Sequence, residues 1–231
     1  TDNSYNYNPN FTWFSEKKKY IGAYLASTDQ SYTLKSLAGK SPNSNLNLTD
    51  SKNQLRTGYR LFNYIDLLEL QILYLILYKN LNSEQALGRG FVSGESKAFT
   101  GRLDEKGMYS GSNTSGASMD GIKFCGIEDF WGNLFCYVDG LKINSSGNII
   151  INGSNKGTIQ SVSQYFDTPH SNEVPFIQKS STNKGSSSTY FCDYQGIVVP
   201  ASGENIAYYG SVFNGGYGLG GLFRMYINRS A

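Results

Sequence analysis

The sequence has few of the residues from which most catalytic and metal sites are built. It contains one histidine, His170, and three cysteines, Cys125, Cys136 and Cys192, none of them in a CxxC pair. One histidine and scattered cysteines do not supply a zinc site, and an odd, small number of cysteines does not supply a disulfide framework. We therefore expect free, partly buried thiols, no metal and no cofactor.

Charge and long apolar runs are also scarce. Charged residues make up 16% of the chain and the formal net charge is +2, which disfavours nucleic acid as a partner because phosphate recognition depends on clustered basic residues. The longest apolar stretch, residues 67–78, is too short to span a bilayer, so it predicts a core helix and no membrane insertion. The chain begins at Thr1 without a methionine, from which we expect a fragment or a processed product, and it shows no signal-peptide pattern.

Tyrosine, in contrast, is abundant. The chain has 18 tyrosines among 231 residues, more than a small core needs, and tyrosine suits exposed recognition surfaces as well as half-buried strands. No Pro-rich, charged or repetitive linker divides the chain, so we expect one domain over residues 1–231. Residues 1–15 are expected to form a lead-in, and the Ser/Thr/Asn/Gly stretch 179–189 a surface loop.

The N-terminal half predicts one strand and two helices. Alternation over residues 20–26 predicts a strand, and the polar stretch 36–53 predicts a loop. Residues 59–78 predict a long helix, with Asp66 and Glu69 spaced like a capping box near its start. Because residues 72–78 are apolar all round, we expect that helix to be covered on several sides. Residues 82–88 predict a short second helix that ends at Gly88.

Short strands and turns dominate the C-terminal half. Residues 134–138 alternate as in a half-buried strand, and residues 142–151 predict a hairpin around Ser145, Ser146 and Gly147. The last predicted strand covers residues 222–228, with Phe223, Met225 and Ile227 on one face. Residues 208–218, just upstream, interleave aromatics with glycines.

Three motifs occur in a characteristic order. They are GYRL at 58–61 before the long helix, GIEDFWGN at 126–133 before a strand, and GGLFR at 220–224 near the end. Together they resemble the C-type-lectin-like fold in its branch of formylglycine-generating enzymes and phage tropism determinants. Residues 20–24, 70–76 and 82–83, taken with GIEDFWGN, more narrowly resemble C-terminal domains of phage or prophage minor tail proteins.

The resemblance implies an α+β, C-type-lectin-like fold with one long central helix, a short second helix, small antiparallel sheets and long loops. It implies a non-catalytic receptor-binding domain of a phage tail tip or fibre that recognises a bacterial surface protein or glycan. The partners implied are a homotrimer or other tail proteins. Two alternatives stay open: an adhesin or retroelement-diversified binding protein of the same fold on the bacterial cell surface, and a structural virion decoration domain.

The enzymes of this branch do not match in their ligands. Formylglycine-generating enzymes hold copper with a cysteine pair near the C-terminus, and no cysteine follows Cys192 here. The iron-dependent sulfoxide synthases need several histidines, and this chain has one. The strand that usually reads Trp-Glu-Trp in this branch reads LFCY at 134–137 here, without the glutamate. We therefore expect no enzymatic activity, and binding that is independent of calcium because no dense calcium-loop spacing occurs.

Several residues that could carry chemistry are instead predicted to be structural. Adjacent Glu128 and Asp129 would point to opposite sides of a strand and are expected to anchor the turn before Trp131. Trp131 is expected in the core, Asn133 in a turn, and His170 in a solvated loop.

The C-terminal segment is the predicted ligand site. A rigid scaffold would present aromatic, amide and guanidinium groups to the receptor, although the same residues could instead form core or a subunit interface. The predicted contacts are Tyr208, Tyr209, Ser211, Phe213, Asn214, Tyr217, Arg224, Tyr226 and Asn228.

Overall fold

A computed structural model describes residues 19–28, 31–111, 120–179, 185–215 and 220–230. The fold is mixed α+β, with few helices and one large sheet. The helices are α1 (Leu48–Asn53), α2 (Tyr64–Tyr78) and α3 (Ser83–Ala86). The strands are β1 (Ala26–Thr28), β2 (Leu34–Ser36), β3 (Lys123–Phe124), β4 (Ile127–Glu128), β5 (Cys136–Asn144), β6 (Asn148–Ile151), β7 (Ser154–Thr158), β8 (Val162–Tyr165), β9 (Pro169–Ser171), β10 (Val174–Gln178), β11 (Tyr194–Ile197), β12 (Glu204–Tyr209) and β13 (Met225–Ser230).

Seven strands form the main sheet, in the order β7-β6-β5-β12-β13-β11-β8. All neighbouring strands are antiparallel except β11 and β13, which are parallel. The remaining strands form three two-stranded pairs, β1 with β2, β3 with β4, and β9 with β10. Strands far apart in the sequence therefore become neighbours at the centre of the main sheet.

Helix α2 begins five residues later than residue 59, the predicted start. Asn63 is its N-cap: the Asn63 side chain accepts a hydrogen bond from the Ile65 amide, and the Asp66 carboxylate accepts one from the Asn63 amide. The predicted capping box included Asp66 correctly but paired it with Glu69. The observed partner of Asp66 is Asn63, and Glu69 accepts a hydrogen bond from Lys19. Capping leaves residues 59–63 outside the helix, since the N-cap residue adopts an extended conformation.

The helix buries most of its surface, since Asp66 and Leu70 are buried beside the main stripe and Ile65, Ile72 and Leu75 pack, partly buried, against the core. Tyr64, Leu67, Leu68, Gln71 and Tyr74 are buried at the i, i+3, i+4, i+7 spacing of a helical stripe, and the Gln71 amide donates to the Leu222 carbonyl at 3.1 Å. The opposite face is open: Leu73, Ile76 and Leu77 are 36%, 63% and 48% exposed. Within the described part of the chain, the expectation that this helix is covered on several sides therefore holds for most of its surface and fails along this open stripe.

Two other predictions for the N-terminal half were wrong. Residues 20–25 are not strand, and only Ala26 of the predicted segment belongs to β1. The predicted loop at 36–53 contains α1, which is capped by the Asn47 side chain accepting from the Asp50 amide. Local capping chemistry thus produced a helix in a sequence whose polar composition had predicted a loop.

The later elements agree better with the sequence. Helix α3 follows its N-cap Asn82 as predicted, and β5 and β6 form the predicted hairpin with Gly147 at a positive φ of 76°. Strand β13 begins at Met225, three residues later than predicted, with Met225 and Ile227 buried and Tyr226 half-buried. The loop predicted at 179–189 lies partly outside the described residues, and its remainder, 185–189, contains no strand or helix.

The core lies between α2 and the inner face of the main sheet. Trp131 sits at its centre with 1% of its surface exposed, and its indole nitrogen donates to the Gly88 carbonyl at 2.9 Å. The prediction that Trp131 belongs to the core is confirmed. Asn133 has a positive φ of 63° and is fully buried, as expected of a residue that forms a turn.

Candidate functional site

The outer face of the main sheet carries a row of tyrosines. In the sheet register Tyr137 pairs with Tyr208, Tyr208 with Tyr226, Tyr226 with Gly196, and Tyr194 with Tyr165. Because successive side chains of a strand point to opposite sides, these rings share the side of the sheet that faces away from the core. We call this set the tyrosine face; its members are Tyr137, Tyr165, Tyr194, Tyr208 and Tyr226.

The rings of the tyrosine face contact one another across the strands. Tyr208 and Tyr226 stack with centroids 5.5 Å apart and planes at 7°, and Tyr194 meets Tyr226 at 6.2 Å and Tyr165 at 5.7 Å. Phe135 adds an edge contact to Tyr208 and another to Tyr226. Ring-to-ring packing of this kind fixes each side chain, so the face offers aromatic area that loses little conformational entropy on binding.

Gly196 makes room for this arrangement. A Cβ atom at position 196 would lie 2.6 Å from two carbons of the Tyr226 ring, well inside van der Waals contact. The missing side chain therefore lets the Tyr226 ring lie across β11 towards Tyr194.

A buried guanidinium closes one end of the tyrosine face. Arg224 is 5% exposed, donates to the Ser211 hydroxyl at 3.2 Å and to the Tyr226 hydroxyl at 2.7 Å, and lies 5.1 Å from the Tyr226 ring centre. Its Nε has no hydrogen-bond partner. Arg224 thus holds Tyr226 in place by a hydrogen bond and a cation–π contact.

The other end of the face is exposed and polar. Asn228, on the same side of β13 as Tyr226, accepts a hydrogen bond from the Tyr208 hydroxyl at 2.5 Å. The exposed Arg229 guanidinium lies 5.5 Å from the centre of the Tyr208 ring. An amide and a cation therefore border the stacked rings, of which Tyr208 is 7% exposed and Tyr226 is half-buried.

The predicted site residues fall into several places. Tyr208, Arg224, Tyr226 and Asn228 come together at the tyrosine face, and Ser211 supports it while being fully buried. Tyr209 points to the opposite side of the sheet, into the core beside Phe130. Phe213 is half-buried, Asn214 is exposed, and Tyr217 lies outside the described residues.

Sequence reasoning missed three members of the face. Tyr137 alternates with buried Val138 in a predicted strand, so its outward direction could have been read from the pattern. Tyr165 and Tyr194 carry no such signal, because only the sheet order places β11 between β13 and β8.

An open cleft of about 1230 Å³ adjoins the tyrosine face. Its lining includes Phe135, Tyr137 and Tyr208 of the sheet and residues from segments 19–26 and 34–62. Among the latter are Tyr20 and Tyr59, which are 94% and 73% exposed. Aromatic side chains of the sheet and of the N-terminal segments thus line the same space.

The paired carboxylates Glu128 and Asp129 have structural partners. Glu128 accepts hydrogen bonds from the backbone amides of Gly101 and Leu103. Asp129 accepts one from Arg102 at 2.5 Å and one from the side-chain amide of Asn133 at 2.9 Å. Both are about 1% exposed. They anchor the 101–103 loop and the turn around Trp131, as predicted from the sequence.

His170 and the cysteines also have structural surroundings. His170 lies on β9, not in the predicted solvated loop, and its Nε2 is 3.0 Å from the Thr158 carbonyl oxygen. The three cysteines are free and half-buried, as predicted, and burial raises the pKa of each thiol above its ordinary value. Protonated thiols are weak nucleophiles and weak metal ligands at neutral pH.

A second pair of carboxyl groups lies beneath β13. Asp193 is 2% exposed and accepts a hydrogen bond from the Phe223 amide at 2.8 Å, and Glu84 accepts one from the Gly220 amide at 3.0 Å and pairs with Arg89. Burial, followed by repulsion from Glu84, raises the pKa of Asp193 well above its ordinary value, although the Phe223 amide and the Arg224 charge act the other way. This pair fastens residues 220–223 to α3 and β11.

The raised pKa of Asp193 predicts a pH dependence. An unfolded aspartate ionises near pH ~3.9, so above that pH the folded state keeps a proton that the unfolded state has lost, and stability falls as pH rises until the raised pKa is passed. We expect Asp193→Asn to raise the melting temperature more at pH 8 than at pH 4, measured by circular dichroism. Glu105→Gln, at an exposed position, is the control. If Asp193→Asn raises the melting temperature equally at pH 4 and pH 8, or lowers it at pH 8, the raised pKa of Asp193 is contradicted.

The described residues contain no group of three or more His, Cys, Asp or Glu side chains placed to hold a metal ion. Among the same residues, no helix combines the length and the apolar character that crossing a membrane requires. A scan against protein-family models gives no match, and a search of curated proteins finds no significant relative.

Proposed function

We propose that this chain is a non-catalytic receptor-binding module of a phage or prophage tail, with a C-type-lectin-like fold, which binds a bacterial surface protein or glycan through the tyrosine face. The observation that carries the proposal is the row of mutually packed tyrosines on the outer face of the sheet, bordered by Arg224, Asn228 and Arg229. Tyrosine and arginine are the residue types that dominate binding energy at interfaces.

The burial of two of the three sequence motifs supports the proposed fold. Leu222 of the GGLFR motif accepts a hydrogen bond from the Gln71 side chain of α2, and the Asn133 carbonyl of GIEDFWGN accepts one from the Phe213 backbone amide. Phe130, Trp131, Leu222 and Phe223 place both of these motifs in the same core. A non-catalytic role is supported by the engagement of Glu128, Asp129 and His170 in structural hydrogen bonds.

Binding of the purified chain to a panel of candidate host bacteria tests the proposal. A Tyr194→Ala/Tyr226→Ala variant should bind at least about 30-fold more weakly than the parent, since truncating a hot-spot aromatic costs roughly 2 kcal/mol or more. Phe99→Ala, at a ring that is 62% exposed and outside the face, is the matched control and should bind like the parent.

A melting transition for each variant establishes that it is folded. If the folded double variant adsorbs as well as the parent, the tyrosine face is not the site. If the chain binds as proposed, the location of the native gene product distinguishes the two kinds of binding protein. An adhesin is found on the cell surface, and a virion module is found in purified phage particles.

One observation favours a second candidate, a structural virion domain. The open face of α2 exposes Leu73, Ile76 and Leu77, and exposed apolar patches often mark protein contacts. A structural domain would pack this face against other tail proteins or other copies of the chain and bind no receptor. The absence of cell binding by the folded parent across the whole host panel would favour this second candidate.

A further inference from the structure

The cleft beside the tyrosine face has an unequal distribution of charge. Three carboxylates line it, Asp66, Glu128 and Asp129, and all three are buried. Asp66 accepts hydrogen bonds from Arg60, Lys19 and the Asn63 amide. The described lining of the cleft therefore offers no open carboxylate to a ligand.

Two of the cations at the cleft have no carboxylate to neutralise them. Arg56 and Arg229 are both exposed, and within the described ranges neither has an acidic oxygen within 4.0 Å. The Arg229 guanidinium lies over the Tyr208 ring. The exposed charge of the cleft is thus positive and lies next to aromatic rings.

The size of the cleft points to a chain-like ligand. Pockets for drug-sized ligands have volumes of roughly 300–1,000 Å³, and this cleft is larger, at about 1230 Å³. A folded protein partner would instead require a broad complementary surface. An extended polymer fits a concave space of this size that is lined with aromatic rings from two parts of the chain.

We propose that the cleft binds an acidic saccharide polymer, with its sugar rings on Tyr59 and Tyr137 and its carboxylate or phosphate groups at Arg56 and Arg229. Arginine matches both anions through its planar pair of N–H donors. The inference rests on the proposed function, because it names the chemical class of the surface receptor. A nucleic acid fits less well, since it needs a longer stripe of basic residues.

Calorimetric titration of the chain with an oligogalacturonate and with its methyl ester tests the charge requirement. The two probes have the same rings, and we expect the ester to bind at least about tenfold more weakly, the loss associated with a charged hydrogen bond. Binding of the acid should weaken as salt is raised, because exposed charges are screened. Poly(glycerol phosphate) is titrated in parallel and distinguishes a phosphate-bearing from a carboxylate-bearing receptor.

Matched variants test the position of the site. Arg56→Gln/Arg229→Gln should lower the affinity for the acidic probe by about tenfold or more. Lys79→Gln/Lys106→Gln removes the same charge at exposed positions outside the cleft and should leave the affinity unchanged. Equal losses of affinity in the two double variants would overturn the placement of the binding site at Arg56 and Arg229.

Other results would overturn the ligand class. These are failure of both acidic polymers to bind, equal binding of the ester, or binding of polyglutamate or oligothymidylate as tight as that of the acidic saccharides. If host cells bind through the tyrosine face while the arginine variant behaves like the parent on those cells and on the probes, the inference fails and the proposed function stands. If the acidic probes bind as described but host cells do not, the proposed function fails separately.

Discussion

A Trp131→Ala variant should have a free energy of unfolding about 3–5 kcal/mol lower than the parent, the range for removing a buried tryptophan. The indole is 1% exposed, contacts Phe130 and donates to the Gly88 carbonyl. Alanine would leave a cavity at the centre of the core and a buried carbonyl without its donor. Because domains are typically stable by only about 5–15 kcal/mol, this change should remove a large part of the total.

Urea unfolding followed by fluorescence or circular dichroism measures the effect. Trp131→Phe, which keeps a ring but loses the N–H donor, should fall between the parent and Trp131→Ala. Tyr59→Ala, at a 73% exposed ring, should stay within about 0.5 kcal/mol of the parent. A loss below about 1 kcal/mol for Trp131→Ala would mean that residue 131 is not packed as described.

An Asp129→Ala variant should also lose about 3–5 kcal/mol, the cost of breaking a buried ion pair by removing one partner. Arg102 and the Asn133 amide both donate to this carboxylate. Burial raises the pKa of Asp129, while Arg102 and Asn133 oppose that shift. Removing the carboxylate leaves the Arg102 guanidinium, which is 23% exposed, without its acid partner, and it leaves the Asn133 side-chain amide with only the Ala98 carbonyl as acceptor.

A double-mutant cycle with Arg102→Ala separates this interaction from other effects. The two losses should be non-additive, because each substitution removes the same contact. Asp129 has a positive φ of 51°, so Asp129→Asn, which tolerates that conformation, separates backbone strain from loss of charge. Additive losses in the cycle would show that the pair contributes no coupling energy.

The membership of the tyrosine face was partly predictable from the sequence. Arg224, Tyr226 and Asn228 share one side of the last predicted strand by alternation. Tyr208 was named because aromatics and glycines interleave over residues 208–218. Tyr209 was misjudged as an equal of Tyr208, since adjacent residues of a strand point to opposite sides and only the sheet decides which side is core. The cleft could not be predicted, because its lining comes from three segments that are distant in the sequence, within residues 19–66, 127–137 and 208–229.

The sequence by itself determined the elements whose causes lie within a few residues. The caps at Asn63 and Asn82, the Asn144–Gly147 turn and the alternation in β13 all depend on near neighbours. Tertiary structure decided which aromatics form one surface. Tyr165, Tyr194 and Tyr226 meet because β11 pairs with β8 on one side and with β13 on the other. Such pairing depends on core packing and sheet order, which no local window of sequence contains.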